Sequence, residues 1–285
     1  MLDERKSDVY QLLPSRYVPK TILLKAGDQP SIDDIETKLD FPLICKPDIG
    51  YKGHKVLKID NRAELRNIIH HDRQGDLLLQ EFLTEQREFS IMYYRLSRTG
   101  ESGVTSFVEK HMPTITGDGH STIDELIIAL NNPFIDTEWI FKKLGPKRND
   151  ILEKGEQLTV DHIGNYSRGS KFENLSDQID GVLRATMDSF FDNVTGINFA
   201  RVDLKSDSLE ALKDGKFRVL EINGAKSEPI HIYDSKMTWW RIIRDISFHW
   251  NTLFRIVKDN IANVDHPSSI EGLKSYRKLK RIMDL

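Results

Sequence analysis

Two short stretches late in the chain form the strongest constellation of residues able to do chemistry: Phe199-Ala200-Arg201-Val202-Asp203-Leu204 and Val219-Leu220-Glu221-Ile222-Asn223-Gly224. Both read as strands, and side chains alternate faces along a strand. Arg201 and Asp203 therefore share one face, opposite Ala200, Val202 and Leu204; Glu221 and Asn223 share another, opposite Leu220 and Ile222. Paired as a hairpin, the strands bring two carboxylates, an amide oxygen and a guanidinium to one side of an apolar sheet. Hard oxygen donors of this kind suit Mg²⁺, which takes one or two carboxylates and completes its octahedron with water and phosphate. Arg201 beside them suits a transferring phosphoryl group or a developing oxyanion. The same pattern also describes a half-exposed sheet with an ordinary polar face.

A second group lies earlier. Lys46-Pro47 ends an apolar strand and is followed by Gly50, Lys52, Gly53 and Lys55. Glycines let the backbone approach phosphates and lysines supply charge. The Gly-Lys-Ser/Thr ending of a Walker loop is missing, and a hairpin with solvated lysines reads equally well. Next comes Leu79-Gln80-Glu81-Phe82-Leu83, then Glu88. An apolar strand running into a linker can present backbone groups to an adenine edge, and a carboxylate just beyond can take a ribose hydroxyl pair. As isolated residues, Glu81 and Glu88 read as surface charges.

In this order the segments resemble the ATP-grasp superfamily, and the resemblance runs from about Lys6 to Asp234. It implies an α+β fold in which two lobes with mainly antiparallel sheets grip ATP, with Mg²⁺ (or Mn²⁺) as the metal. It assigns Lys46 to the α/β phosphates, with Lys6, Lys52 and Lys55 in the nucleotide-binding set. It assigns Glu81, Phe82 and Leu83 to adenine, Glu88 to ribose, and Asp203, Glu221 and Asn223 to the metal, with Arg201 catalytic. The run Thr116–Leu126, Leu152-Glu153-Lys154-Gly155-Glu156 and the loop 164–170 resemble segments of cyanophycin synthetase-like ligases, which would set that loop over the triphosphate with Arg168 or Lys171 near the transferred phosphoryl group. The segment Ser227–Asp234 is similar to that of bacterial carboxylate–amine ligases and D-alanine–D-alanine ligase-like proteins. The implied reaction joins a small carboxylate to an amine, amino acid or peptide-like, through an acyl phosphate. A phosphotransferase on the same scaffold, or a nucleotide-binding partner protein without turnover, are the rivals. Two departures stand out. Only 45 residues precede Lys46, so the domain that usually comes first would be missing, replaced, or supplied by an oligomeric copy or a partner protein. Gly224-Ala225-Lys226-Ser227-Glu228 stands where D-alanine ligases have Ser-Pro-Gly, leaving Lys226 and Glu228 either to read a charged substrate or to pair internally.

The elements that must position these groups follow from pattern. Strands are expected at 18–24, 42–47, 55–59, 77–82, 88–95, 104–111, 157–163, 197–205 and 216–223. Helices are expected at 8–16, 61–70, after Thr122, within 134–144, at 176–191 and at 235–261, with capping boxes at Asn61/Glu64 and Thr122/Glu125. We expect a first lobe over 1–78, a second carrying the metal and acyl-phosphate site over 79–234, and a C-terminal helix with a basic tail over 235–285. Trp239, Trp240, Phe248, Trp250 and Phe254 form an aromatic stripe expected in the core or at a lobe interface. The tail residues Lys274, Arg277, Lys278, Lys280 and Arg281 read as a solvated end, with a membrane surface or acidic partner as the lesser reading. His70-His71 lack a third ligand at suitable spacing.

The 285 residues carry a net charge of -3, which gives no overall argument for nucleic acid. No apolar run is long enough to span a bilayer, and the first ten residues lack the apolar core of a secretory signal. Cys45, the only cysteine, lies in an apolar run and reads as a buried hydrophobe. Cytoplasmic placement is expected.

Overall fold

A computed structural model describes residues 5–50, 56–70, 75–131, 135–161 and 163–260. Lys52, Lys55, His71 and the basic tail lie outside the described residues. In chain order the elements are α1 (Lys6–Gln11), β1 (Thr21–Leu24), α2 (Ile32–Glu36), β2 (Leu43–Pro47), β3 (Leu57–Ile59), α3 (Arg62–His70), β4 (Leu77–Glu81), β5 (Arg87–Arg95), β6 (Ser102–His111) and β7 (Thr114–Thr116). There follow α4 (Ile123–Ala129), α5 (Thr137–Leu144), β8 (Gln157–Thr159), β9 (Lys171–Asn174), α6 (Gly181–Asp192), β10 (Phe199–Ser206), α7 (Leu209–Lys213), β11 (Arg218–Asn223) and α8 (Trp239–Asn260).

The described strands form antiparallel sheets ordered β1-β4-β2-β3, β11-β10-β5-β6-β9 and β7-β8. This is the α+β architecture expected. The first sheet is closed on one side by α2 and α3: Ile35, Leu65 and Ile69 pack with Leu43, Cys45 and Leu79, so Cys45 is a core residue. The N-terminus of α3 is set by Asn61, whose Oδ1 accepts from the backbone N–H of Ala63 and Glu64. The chain leaves the first sheet after Glu81 and enters the second at Arg87, a few residues beyond the 78/79 division expected from sequence.

The second sheet is apolar on the face covered by α6. Phe89, Ile91, Tyr93, Phe107, Val202 and Leu204 pack there against Leu183, Met187, Phe190 and Phe191, whose spacing puts them on one helix face. Each such side chain, fully buried, contributes about 1.5–3 kcal/mol. The helix expected from 176 starts later because Asp180 caps it, its side chain accepting from the Leu183 N–H at 2.9 Å. The helix expected over 8–16 stops at Gln11, ahead of Pro14. This lead-in spans both sheets: the Ser7 N–H donates to Asp48 Oδ1 at 2.8 Å, while Tyr10, Leu13 and Tyr17 join the second sheet's core.

Between β7 and β9 a small unit has a core of its own, built by Ile115, Ile123, Ile127, Ile140, Leu152 and Val160. The capping box at Thr122/Glu125 starts its first helix. Helix α8 differs from expectation. It buries His249, Thr252, Ile256 and Asp259, and its aromatic stripe is turned out: Trp239, Trp240, Phe248, Trp250 and Phe254 are all half exposed or more. The apolar periodicity reports an apolar face, and the tertiary packing here leaves that face uncovered.

Candidate active site

The face of the second sheet turned away from α6 collects charge. Register places Asp203 opposite Glu221 and Arg201 opposite Asn223. On the other side of β10, Ser90 lies opposite Asp203 and Glu88 opposite Lys205. One strand further, Lys110 lies opposite Glu88. Adjacent strands sit about 4.8 Å apart, so these residues form one continuous polar patch on four strands.

Lys110 is its centre. Its Nζ donates to Glu88 Oε1 at 3.0 Å and lies 3.2 Å from Asp203 Oδ2, with only 5% of its side chain exposed. Asp203 also accepts from Ser90 Oγ at 2.6 Å and from Arg201 Nε at 3.3 Å. Burial pushes the Asp203 carboxyl up, but Arg201, Lys110 and Ser90 outweigh it and hold the group at about 2, ionised at any working pH. For Lys110 burial acts downward, and Asp203 and Glu88 more than reverse it, leaving the ammonium above its ordinary value. Lys110 and Ser90 gave no signal in the sequence. A lysine in Val108-Glu109-Lys110-His111 reads as an exposed strand end until the register across β5 is known.

The first sheet and the lead-in close the patch from the other side. Lys46 is buried; its Nζ donates to Tyr10 Oη at 2.7 Å and to the Leu220 carbonyl at 3.1 Å, and Tyr10 Oη donates to the same carbonyl. Lys6 Nζ is 3.6 Å from Glu221 Oε1. Burial lowers the Lys6 ammonium below its ordinary value, opposed by Glu221 and assisted by the nearby Lys46 charge. Four cations, Lys6, Lys46, Lys110 and Arg201, thus face three carboxylates, Glu88, Asp203 and Glu221.

An open cleft of about 310 Å³ adjoins Glu88 and Lys110, lined also by Phe82, Met112, His111 and Lys205. The linker residues border it in different ways. Phe82 lies between Lys58 and Lys205, whose ammonium groups stand 5.3 and 5.7 Å from its ring centroid. The Leu83 carbonyl accepts from Lys205 Nζ at 3.1 Å. Glu81 is tied down: its carboxylate accepts from the Lys20 N–H at 2.7 Å and pairs with Arg218, and its own N–H donates to the Lys20 carbonyl. Its side chain therefore fixes the linker and does not reach into the cleft. The loop after β8 covers the patch at Gly164, where a Cβ would stand 2.3 Å from Glu88 Oε1 and 2.9 Å from Lys110 Cδ. A side chain at this position would force the Glu88 carboxylate or the loop to move.

Several expected residues are not brought into the patch. Arg168 turns to the small unit, 3.3 Å from Asp161 Oδ2 and 4.3 Å above the Trp139 ring. Lys171 is exposed, on the opposite face of β9 from the buried Phe172. Lys226 is exposed. Glu228 accepts from Tyr233 Oη through its side chain, while its carbonyl accepts from Arg201 Nη1 at 3.4 Å. The buried His231 nearby links Ser106 Oγ (2.8 Å) to Asp245 Oδ2 of α8 (3.1 Å), and burial lowers its imidazole against the pull of Asp245.

The fold overlaps in part with those of several solved ligases and synthetases. It overlaps D-alanine–D-alanine ligase from Bacillus anthracis (12% identity, 92% of this chain, 67% of that one, TM-score 0.49). It also overlaps the VanG D-Ala:D-Ser ligase from Enterococcus faecalis (13% identity, 87% and 61%, TM-score 0.49). A third is an N5-carboxyaminoimidazole ribonucleotide synthetase in its ADP complex (12% identity, 81% and 47%, TM-score 0.47). The chain thus spans between about half and two thirds of these proteins. No protein-family model and no curated protein sequence matches it. With overlaps of this size, the reading of the site rests on its own residues.

Proposed function

We propose that the chain is an ATP- and Mg²⁺-dependent carboxylate–amine ligase of the ATP-grasp kind. One observation carries the reading: a lysine and two carboxylates, Lys110, Glu88 and Asp203, are buried together on the polar face of a sheet whose other face supplies the core. Desolvating each ion costs several kcal/mol, and a well-packed apolar set is often more stable. A charged cluster at the wall of an open cleft, with two more lysines facing it, is better accounted for by a polyanionic ligand. Lys46, Lys6 and Lys110 suit the phosphates, Glu88 the ribose, and Phe82 with the linker backbone the adenine.

The residues fit a divalent metal. Asp203 and Glu221 offer carboxyl oxygens on neighbouring strands, and Asn223, whose Nδ2 stands 3.5 Å from Asp203 Oδ2, presents its oxygen there after a half-turn of the amide. Lys110 and Lys6 stand against two of these carboxylates where a metal's charge would act. When bound, Mg²⁺, or Mn²⁺ in its place, supplies charge neutralisation across the phosphate oxygens.

In the proposed reaction a carboxylate oxygen of the substrate attacks the γ-phosphorus, the bond to the β–γ bridging oxygen breaks, and ADP leaves. The amine then attacks the acyl carbon, the carbon–oxygen bond to phosphate breaks, and the amine gives up a proton. Arg201, 18% exposed beside Asp203, is placed to hold the transferred phosphoryl group, and lysines Lys6 and Lys46 hold the chain of phosphates behind it. Such transfer depends on positioning and charge more than on covalent help. Segment 224–231, joined to Arg201 through the Glu228 carbonyl, borders the side where a small amino-acid-like or peptide-like carboxylate and amine would meet. Arg168 would reach the phosphoryl group only on leaving Asp161, and Lys171 is fixed in β9 beside His111. Among the described residues no helix is long and apolar enough to cross a membrane; we place the reaction in the cytoplasm.

Calorimetry with a non-hydrolysable ATP analogue and Mg²⁺ tests the site. Wild type should bind and Lys46→Ala should bind at least tenfold more weakly; equal affinity refutes the reading. Free phosphate released only with both carboxylate and amine present separates a ligase from a phosphotransferase.

A further inference from the structure

Helix α8 carries an apolar face that the described fold leaves uncovered. Trp239, Ile243, Ile246, Trp250, Phe254 and Val257 follow one another at spacings of three or four residues, which sets them on one stripe. Ile246 is partly buried, while the other five are half exposed or more, Trp250 at 62%. The face that anchors the helix is a different one. There Ile256 and His249 pack on the second sheet near Phe199, and Asp245 and Asp259 bond inward, to His231 and to the Arg98 N–H (3.0 Å). Both acids of the helix are thereby consumed by the fold. Its exposed charges are Arg241 and Lys258, with Lys236 just ahead, and Arg244, which pairs with Asp245 at 2.8 Å. Arg255 alone is neutralised from outside the helix, by Glu101 at 2.6 Å.

We propose that α8 docks the protein on an anionic lipid bilayer surface, lying in the interface with this stripe inserted. A long helix with Trp and Phe on one side and Lys and Arg on the other has the chemistry of an interfacial helix, and tryptophan is enriched at the headgroup boundary. The rival occupant is the same helix of a second copy. Two features disfavour it. Helix–helix seams are filled by Leu, Ile and Val with opposite charges flanking them, whereas this stripe is led by large aromatic rings. Its flanks are also basic, so self-pairing in either direction brings like charges together, while an anionic surface complements them. The sequence beyond residue 260 continues the bias with Lys274, Arg277, Lys278, Lys280 and Arg281.

The test uses the full chain and vesicles of phosphatidylcholine, with or without phosphatidylglycerol, read by co-sedimentation and tryptophan emission. Binding should require phosphatidylglycerol, shift the emission to the blue, and weaken as salt screens the charges. Trp250→Ser/Phe254→Ser should lower partitioning at least tenfold while keeping the melting temperature and ATP-analogue affinity, since neither residue touches the cleft. Lys236→Gln/Arg241→Gln/Lys258→Gln should lower the dependence on phosphatidylglycerol. Failure to bind anionic vesicles overturns the proposal. If the chain is then a dimer that Trp250→Ser/Phe254→Ser converts to a monomer, the face belongs to a second copy.

Discussion

Replacing Lys110 by methionine removes the charge at the centre of the patch and keeps most of the side chain's length. At 3.0 and 3.2 Å from Glu88 and Asp203, an effective dielectric of about 20 gives an attraction of roughly 5 kcal/mol to each carboxylate. Most of that gross figure is offset, because burying the ammonium itself costs several kcal/mol. Asp203 keeps Arg201 and Ser90 as partners, so the larger loss falls on Glu88. The net destabilisation should be about 3 kcal/mol, the low end for removing one partner of a buried pair. In a chain of this size that lowers the melting temperature by roughly 5–10 °C. Adding Glu88→Gln removes the stranded charge and should recover part of the loss. Affinity for an ATP analogue should fall at least tenfold in both variants, because the phosphates lose a counter-charge however the fold adjusts. Thermal melts and calorimetry on the same samples read the two effects apart. Unchanged melting together with unchanged affinity for Lys110→Met would refute both the electrostatic argument and the placement of phosphate beside it.

Asp203→Asn and Glu221→Gln should fold and lose turnover by orders of magnitude in an ADP-release assay, because the metal–triphosphate complex needs their charge. The Asp203 carboxyl is held at about 2 and titrates near 3.9 when unfolded, so its contribution to stability is complete above about 4. That contribution is lost as the pH falls through 2, and acid unfolding curves of Asp203→Asn should be flatter over that window. Gly164→Ala places a methyl 2.3 Å from Glu88 Oε1; it should displace the covering loop and weaken nucleotide several-fold, visible as faster analogue dissociation in stopped flow. Glu228→Ala frees Tyr233 and perturbs the segment on Arg201; it should raise the KM for carboxylate or amine with nucleotide affinity unchanged, whereas a lower melting temperature with unaltered kinetics would mark the contact as structural.

Alternation along single strands was enough to put Arg201 with Asp203 and Glu221 with Asn223, because a strand's period of two holds whatever its neighbours do. Local hydrogen bonding set the helix starts at Asn61 and Thr122, and apolar context placed Cys45 in a core, each within a few residues of sequence. Lys110 was invisible for the opposite reason: its meaning comes from lying across from Glu88 and one strand further from Asp203, a register that apolar pattern alone does not fix. Arg168 and Lys171 were drawn to the site by their nearness in sequence to the covering loop, yet a buried Asp161 holds one and strand alternation turns the other away. Glu81 was spent on Arg218, a residue of β11 that only the meeting of the two sheets brings near. The aromatic stripe of α8 makes the same point about packing. Sequence periodicity determined that the helix has an apolar face, and only the tertiary structure decided that the buried His249–Ile256 face anchors it while Trp250 and Phe254 look outward.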